Sequence, residues 1–130
     1  MGTGSVKAFL DTHTAIFLWE GRNEVFGPSS RKVLEEAILL ISPMVRLEMT
    51  FLKEVGKLKV EADHLLGSLT SDLGVAMTSE PLEALIPLAM PLSWTRDPFD
   101  RLIVATALLH QAPLVTRDTK IRENFQNAVW

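Results

Sequence analysis

The chain has 130 residues, 47% of them hydrophobic and 22% charged, with a formal charge of −3 and no cysteine. That length suits one domain over residues 1–130 with its own core, and the composition excludes an intrinsically disordered chain. Without thiols there is no disulfide framework, cysteine nucleophile or cysteine-based zinc site, and the negative charge argues against a protein that holds nucleic acid by charge alone.

No apolar run reaches the length of a membrane span. The N-terminus lacks the charged and hydrophobic regions of a signal peptide, and Val6 stands where a myristoylation pattern requires Ser or Thr. These features predict a cytoplasmic protein.

Val6 to Leu10 is a short apolar run ending in Asp11, and Thr12 to Trp19 has helical spacing up to Gly21: a strand, a turn and a helix. Gly27-Pro28-Ser29-Ser30 starts a second helix that runs to about Ala37. Ile38 to Ile41 is continuously apolar, as expected of a strand buried on both faces. Ser42-Pro43 caps and opens a helix in which Met44, Leu47, Phe51 and Val55 form the predicted core stripe, with Glu48 turned toward the core side. Gly56 to Lys59 breaks it, and Glu61 to Leu73 forms the next helix. Val75 to Thr78 is a third strand. A brief helix around Leu85 and Ile86 follows, its length limited by Pro87 and Pro91.

The segment Arg96-Asp97-Pro98-Phe99-Asp100-Arg101 then starts a helix to His110 that is apolar on most of its circumference and so predicted to be buried. Pro98 suits the first helical position, and Asp97 falls at the cap. Asp100 follows in the first turn, where the helix dipole favours an ionised carboxylate. Pro113 to Thr116 is a fourth strand. The remainder holds one helical turn from Lys120 and an edge strand at Ala128 to Trp130.

Strands alternating with helices predict an α/β fold, an open parallel sheet of four to five strands with helices on both faces. Ligand sites in such sheets lie at the carboxyl ends of the strands. Asp11 and Asp118 end strands there, and Glu48 and Asp100 lie near the starts of helices at the same edge. Four acids from four distant parts of the chain therefore converge. Crowded carboxylates repel one another unless a cation neutralises them. Oxygen ligands without cysteine or paired histidine select Mg²⁺ or Mn²⁺ over zinc, and the matching reaction is phosphodiester hydrolysis. His13 is either a structural histidine or a participant. Arg96, Arg101 and Arg117 flank the acids, with Arg46, Lys53, Lys57 and Lys59 along or beyond the Glu48 helix. They form a candidate rim for RNA phosphates.

Five segments occur here in the order found in PIN-domain proteins: Leu10-Asp11-Thr12-His13; Ser42-Pro43 with Glu48; Gly56-Lys57-Leu58; Arg96 to Ile103; and Leu114-Val115-Thr116-Arg117-Asp118. The chain most resembles the VapC-type toxins of toxin–antitoxin pairs, from about Ala8 to about Arg122. The resemblance implies a Mg²⁺- or Mn²⁺-dependent endoribonuclease in which a metal activates water. It also implies a homodimer inhibited by a cognate antitoxin. It makes Asp11, Glu48, Asp100 and Asp118 the catalytic acids, with Asp11, Asp100 and Asp118 as metal ligands and Asp97, Thr116 and Thr12 as secondary residues. Leu47 departs from the aromatic residue often found beside the glutamate, and no His accompanies Trp94-Thr95. One alternative is a catalytically silent PIN-like interaction module. Another is a Mg²⁺-dependent phosphoryl-transfer or receiver-type protein. For the haloacid-dehalogenase type, a second acid is expected where His13 stands.

Overall fold

The computed structural model describes residues 6–130. Residues 1–5, on which the readings about a leader and a lipid anchor chiefly rest, lie outside them. The first strand, β1 (Lys7–Leu10), buries Ala8, Phe9 and Leu10 completely. Three consecutive buried apolar residues leave no solvent face, as in a strand covered on both sides. From β1 the chain runs through α1 (Thr12–Glu20), a 3-10 turn (Asn23–Val25) and α2 (Pro28–Glu36) to β2 (Ile38–Ile41), where Leu39 to Ile41 are buried. Next come α3 (Pro43–Glu54), α4 (Ala62–Leu73) and β3 (Ala76–Met77), then α5 (Leu82–Ala89), α6 (Pro98–Leu109) and β4 (Leu114–Val115). Last are α7 (Thr119–Asn124) and β5 (Ala128–Val129).

All strand pairs are parallel, in the order β3-β2-β1-β4-β5. The chain therefore starts in the middle, builds outward to β3, then crosses back to lay β4 and β5 on the other side of β1. Right-handed crossovers in opposite directions put helices on both faces, and the reversal opens a crevice at the carboxyl ends of β1 and β4. Phe9 pairs with Leu114 and Leu10 with Val115. The Asp11 N–H continues that ladder to the Val115 carbonyl at 3.2 Å, so Asp11 and Thr116 leave the sheet side by side.

Helix α6 carries the acidic segment into this crevice. Ile103, Val104, Ala105, Thr106 and Ala107 are all buried, because α6 lies against the main core while Leu85 and Ala89 of α5 cover its outer side at Ala105. Burying an Ile or Val side chain contributes about 1.5–3 kcal/mol, so the body of this helix anchors its polar end.

Several expectations need correction. In α3 the core face is Val45, Met49 and Leu52, while Leu47, Phe51 and Val55 are 54%, 47% and 51% exposed. Both stripes have helical spacing, so periodicity alone could not choose between them. Glu48 lies on the border between the two stripes and is half-buried. Pro87 does not end α5, which runs on to Ala89. Strands β3, β4 and β5 each keep only two residues, and α7 begins at Thr119, one residue earlier than expected, with Asp118 as its cap. Gly27 is required by a close approach: a Cβ there would sit 2.9 Å from the backbone carbonyl of Trp130, which accepts the Ser30 N–H at 3.1 Å.

Candidate functional site

The crevice between β1 and β4 holds a cavity of about 280 Å³ whose walls include Asp11, Glu48, Asp97, Asp100 and Asp118. Three of the acids arrive as helix N-caps, and Glu48 and Asp100 from within α3 and α6. Asp11 is buried and caps α1, accepting the Thr14 N–H at 2.9 Å, while the Thr14 hydroxyl donates back to the Val115 carbonyl at 2.8 Å. Burial is the strongest influence on Asp11 and pushes its carboxyl above the usual range. Hydrogen bonds from Thr116 and Thr14 oppose this. Thr116 is itself buried, and its hydroxyl accepts the Asp118 N–H at 3.1 Å, tying the two acids through one side chain.

Glu48 reaches the cavity from α3 and accepts the Thr12 hydroxyl at 2.5 Å. Its carboxyl is raised by burial first, against the Thr12 hydrogen bond, with further upward pressure from Asp97 and Asp11. Asp97 caps α6, its Oδ1 accepting the Phe99 N–H at 2.8 Å and the Asp100 N–H at 3.3 Å. Asp118 caps α7 and accepts the Ile121 N–H at 2.9 Å. Asp100, one turn into α6, is pushed from 3.8 to about 7 by burial and then by repulsion from Asp97, Glu48, Asp118 and Asp11. The four charges that perturb Asp100 are the other four acids of the cavity. The structure therefore gathers the four main predicted acids and Asp97, with Thr12 and Thr116 as their hydrogen-bonding neighbours.

Of the predicted basic rim, Arg117 lines the cavity. Arg46 forms a two-pronged pair with Asp63 of α4, at 2.7 and 2.9 Å, and Lys53 pairs with Glu61 at 3.0 Å. Arg96 donates to the Ser93 carbonyl at 2.9 Å, and Arg101 donates to the Thr95 carbonyl at 2.9 Å, bracing the loop that leads into α6. Arg46 and Lys53 are thus engaged by acids that follow them in sequence rather than by the crevice. His13 is exposed on the cavity wall. Phe17 and Ile103, which also line it, were legible only as members of apolar helical patterns.

A model of the PIN domain family matches residues 8–124. This chain belongs to the PIN-domain family. The chain is 28% identical over 121 residues to Ribonuclease VapC22 of Mycobacterium tuberculosis, spanning 88% of this chain and 89% of that protein. Among solved structures, it resembles VapBC2 from Rickettsia felis bound to a DNA fragment from their promoter, with a TM-score of 0.67 at 17% identity, covering 96% and 98% of the two chains. It also resembles VapBC-1 from nontypeable Haemophilus influenzae, with a TM-score of 0.64 at 16% identity and 96% of each chain covered.

The donor set of this PIN domain suits a hard cation. All five acids offer oxygen, and the chain has no cysteine. Among the described residues no three His, Asp or Glu side chains draw together into a closed ligand cluster. The carboxylates instead ring the cavity, held by Thr12, Thr14 and Thr116. That arrangement fits Mg²⁺, which keeps several waters and is usually held by one or two carboxylates together with substrate phosphates.

Proposed function

We propose that this chain is a single-domain, cytoplasmic endoribonuclease dependent on Mg²⁺ or Mn²⁺, the toxin of a VapBC-type toxin–antitoxin module. The observation that carries this reading is the ring of five carboxylates around one cavity at the sheet's reversal point, four of them exerting charge on the fifth, Asp100. The 28% identity to a VapC ribonuclease and the likeness to VapBC structures support it.

Asp11 and Asp100 would hold the ion, with Asp118 and Glu48 completing or orienting its shell. The chemistry such an ion supplies is polarisation of water and of the phosphoryl and leaving oxygens. The protein's own part is orientation and charge. Thr12 fixes Glu48, Thr14 and Thr116 fix Asp11, and the cap at Asp97 fixes the first turn that carries Asp100. Burial raises the Glu48 carboxyl above the ordinary carboxylate range, which makes it the better placed of the acids outside the Asp11–Asp100 pair to take up a proton. Arg117 stands on the same wall to meet substrate phosphate.

The partners in this reading are an RNA substrate, a cognate antitoxin and a second copy of the chain. The outward stripe of α3, with the Phe51 ring tilted against Phe99 at a centroid distance of 5.9 Å, leaves apolar surface of the kind that marks a protein interface. The test is to sequence RNA ends after expression of wild type and Asp100→Asn, and to repeat the cleavage with purified proteins. Asp100→Asn is expected to stay folded and lose metal-dependent cleavage. Cleavage at the wild-type rate by the purified variant would refute the assignment.

A further inference from the structure

The cavity contains one arginine and five acids, yet among the described residues Arg117 makes no ion pair with any of them. Its guanidinium instead lies over the Phe17 ring, 4.9 Å from the centroid. A second guanidinium, that of Arg22, lies 5.0 Å from the same centroid. The two cations are therefore no farther apart than the sum of those distances. Arg22 comes just after the C-terminus of α1, where Gly21 caps the helix with φ 70° and the Arg22 N–H bonds the Phe17 carbonyl at 3.1 Å. This turn places Arg22 back over the ring that precedes it by more than a helical turn.

Neither cation is consumed locally. Arg22 has one loose, exposed pair with Glu20 at 3.8 Å, and such pairs contribute little. Phe17 is only 8% exposed, too covered to stack a nucleobase broadly. What lies against it are two guanidiniums, which a ring face attracts and holds in place. Planar guanidiniums suit phosphate through paired N–H donors. An approaching nucleic-acid strand meets a ring of acids that repels its phosphates, and this pair is the positive ground beside them.

We propose that Arg22 and Arg117, seated on Phe17, form a phosphate-binding shelf that receives the RNA backbone to one side of the scissile bond. The shelf makes Arg22, which lies outside the cavity wall, a determinant of substrate binding rather than of the chemical step. This inference rests on the nuclease reading for its substrate, but its test does not depend on cleavage.

The probe is a mixed-sequence, fluorescently labelled single-stranded RNA of about 20 nucleotides, bound to Asp100→Asn protein in Mg²⁺ and titrated over a series of KCl concentrations. Each phosphate contact to a single strand contributes about −0.7 to the slope of log affinity against log salt. Arg22→Gln and Arg117→Gln are each expected to flatten the slope by about 0.7, and Phe17→Leu to flatten it by more than either alone. Arg46→Gln, whose guanidinium is already held by Asp63, is expected to leave it unchanged. In the cleaving protein, Arg22→Gln is expected to raise KM while keeping kcat.

An unchanged slope in Arg22→Gln overturns the shelf, as does absence of salt-dependent RNA binding. An Arg22-dependent slope in a wild-type protein that cuts no RNA keeps the shelf and sinks the nuclease reading.

Discussion

The charge on Asp100 opposes folding when no cation is bound, and replacing it should therefore stabilise the metal-free protein. In the unfolded chain its carboxyl titrates near 3.8; in the fold it is pushed to about 7. Between those values the native state holds a proton that the unfolded state releases, so this group's contribution to stability falls as pH rises from about 4 to about 7. One pKa unit is about 1.4 kcal/mol, which makes the full penalty about 4 kcal/mol before screening. Asp100 sits half-buried on a solvated rim, and screening leaves on the order of 2 kcal/mol. An isosteric amide removes that penalty and gives up about 0.5 kcal/mol of helix-dipole stabilisation. At about 4 °C per kcal/mol for a chain of this size, Asp100→Asn should melt about 6 °C above wild type at pH 7.5 in chelator. At pH 5, where wild-type Asp100 is already protonated in the fold, the gain should shrink to about 2 °C or less by the same arithmetic. Thermal melts by circular dichroism in EDTA at the two pH values test this. A lower melting temperature for the variant at pH 7.5, or the same shift at both values, would refute the reasoning.

Further expectations concern the supports of the site. Adding Mn²⁺ should raise the melting temperature of wild type and have little effect on Asp11→Asn, since a ligand bound only by the native state stabilises it; equal rises would argue against a site built on Asp11. Thr12→Val removes the 2.5 Å hydrogen bond to Glu48 and should reduce metal affinity or cleavage by about 10–100-fold, the usual range for a residue that orients a ligand. Calorimetric titration with Mn²⁺ and rates on a fixed RNA would detect it, and an unchanged protein would make Thr12 incidental. Met49→Ala should lose about 2–5 kcal/mol in urea unfolding, whereas Leu47→Gln should change stability by no more than about 0.5 kcal/mol, because α3 buries the first and exposes the second. Gly27→Ala should destabilise by about 1–3 kcal/mol, since its Cβ would have to displace the Trp130 backbone.

What could be read from the sequence was what local chemistry dictates. Asp97 before Pro98 can hardly be other than a cap, and the structure gives it both N–H donors of the turn. Asp11 after an unbroken apolar run marks the end of a buried strand, and Leu114 to Asp118 repeats the pattern one strand away. The failures are matters of competition at a distance. Two apolar stripes run along α3, and the choice between them belongs to α1, α4 and α6, which pack against it. Arg46 and Lys53 seemed to face the crevice until Asp63 and Glu61, in and beside the first turn of α4, claimed them. Phe17 has an apolar helical position and no local sign of the two arginines that settle on it. One of those follows it by five residues and the other by a hundred.

A carboxylate in the first turn of a helix is favoured in its ionised form by the dipole, while crowding with other acids opposes it. In the fold the second effect wins at Asp100: the group is pushed to about 7 by burial and four like charges. Asp97 contributes on both sides of that balance, since it satisfies the Asp100 N–H and also repels the Asp100 carboxyl. A helix in need only of a cap would be served by Asn or Ser at position 97, which rank with Asp as caps and bring no charge. Asp97→Asn should therefore preserve α6 while relieving Asp100, which separates the capping role from the electrostatic one. That two carboxylates share one helical turn, against their mutual repulsion and facing three more, is consistent with a cluster built around a cation rather than for stability alone.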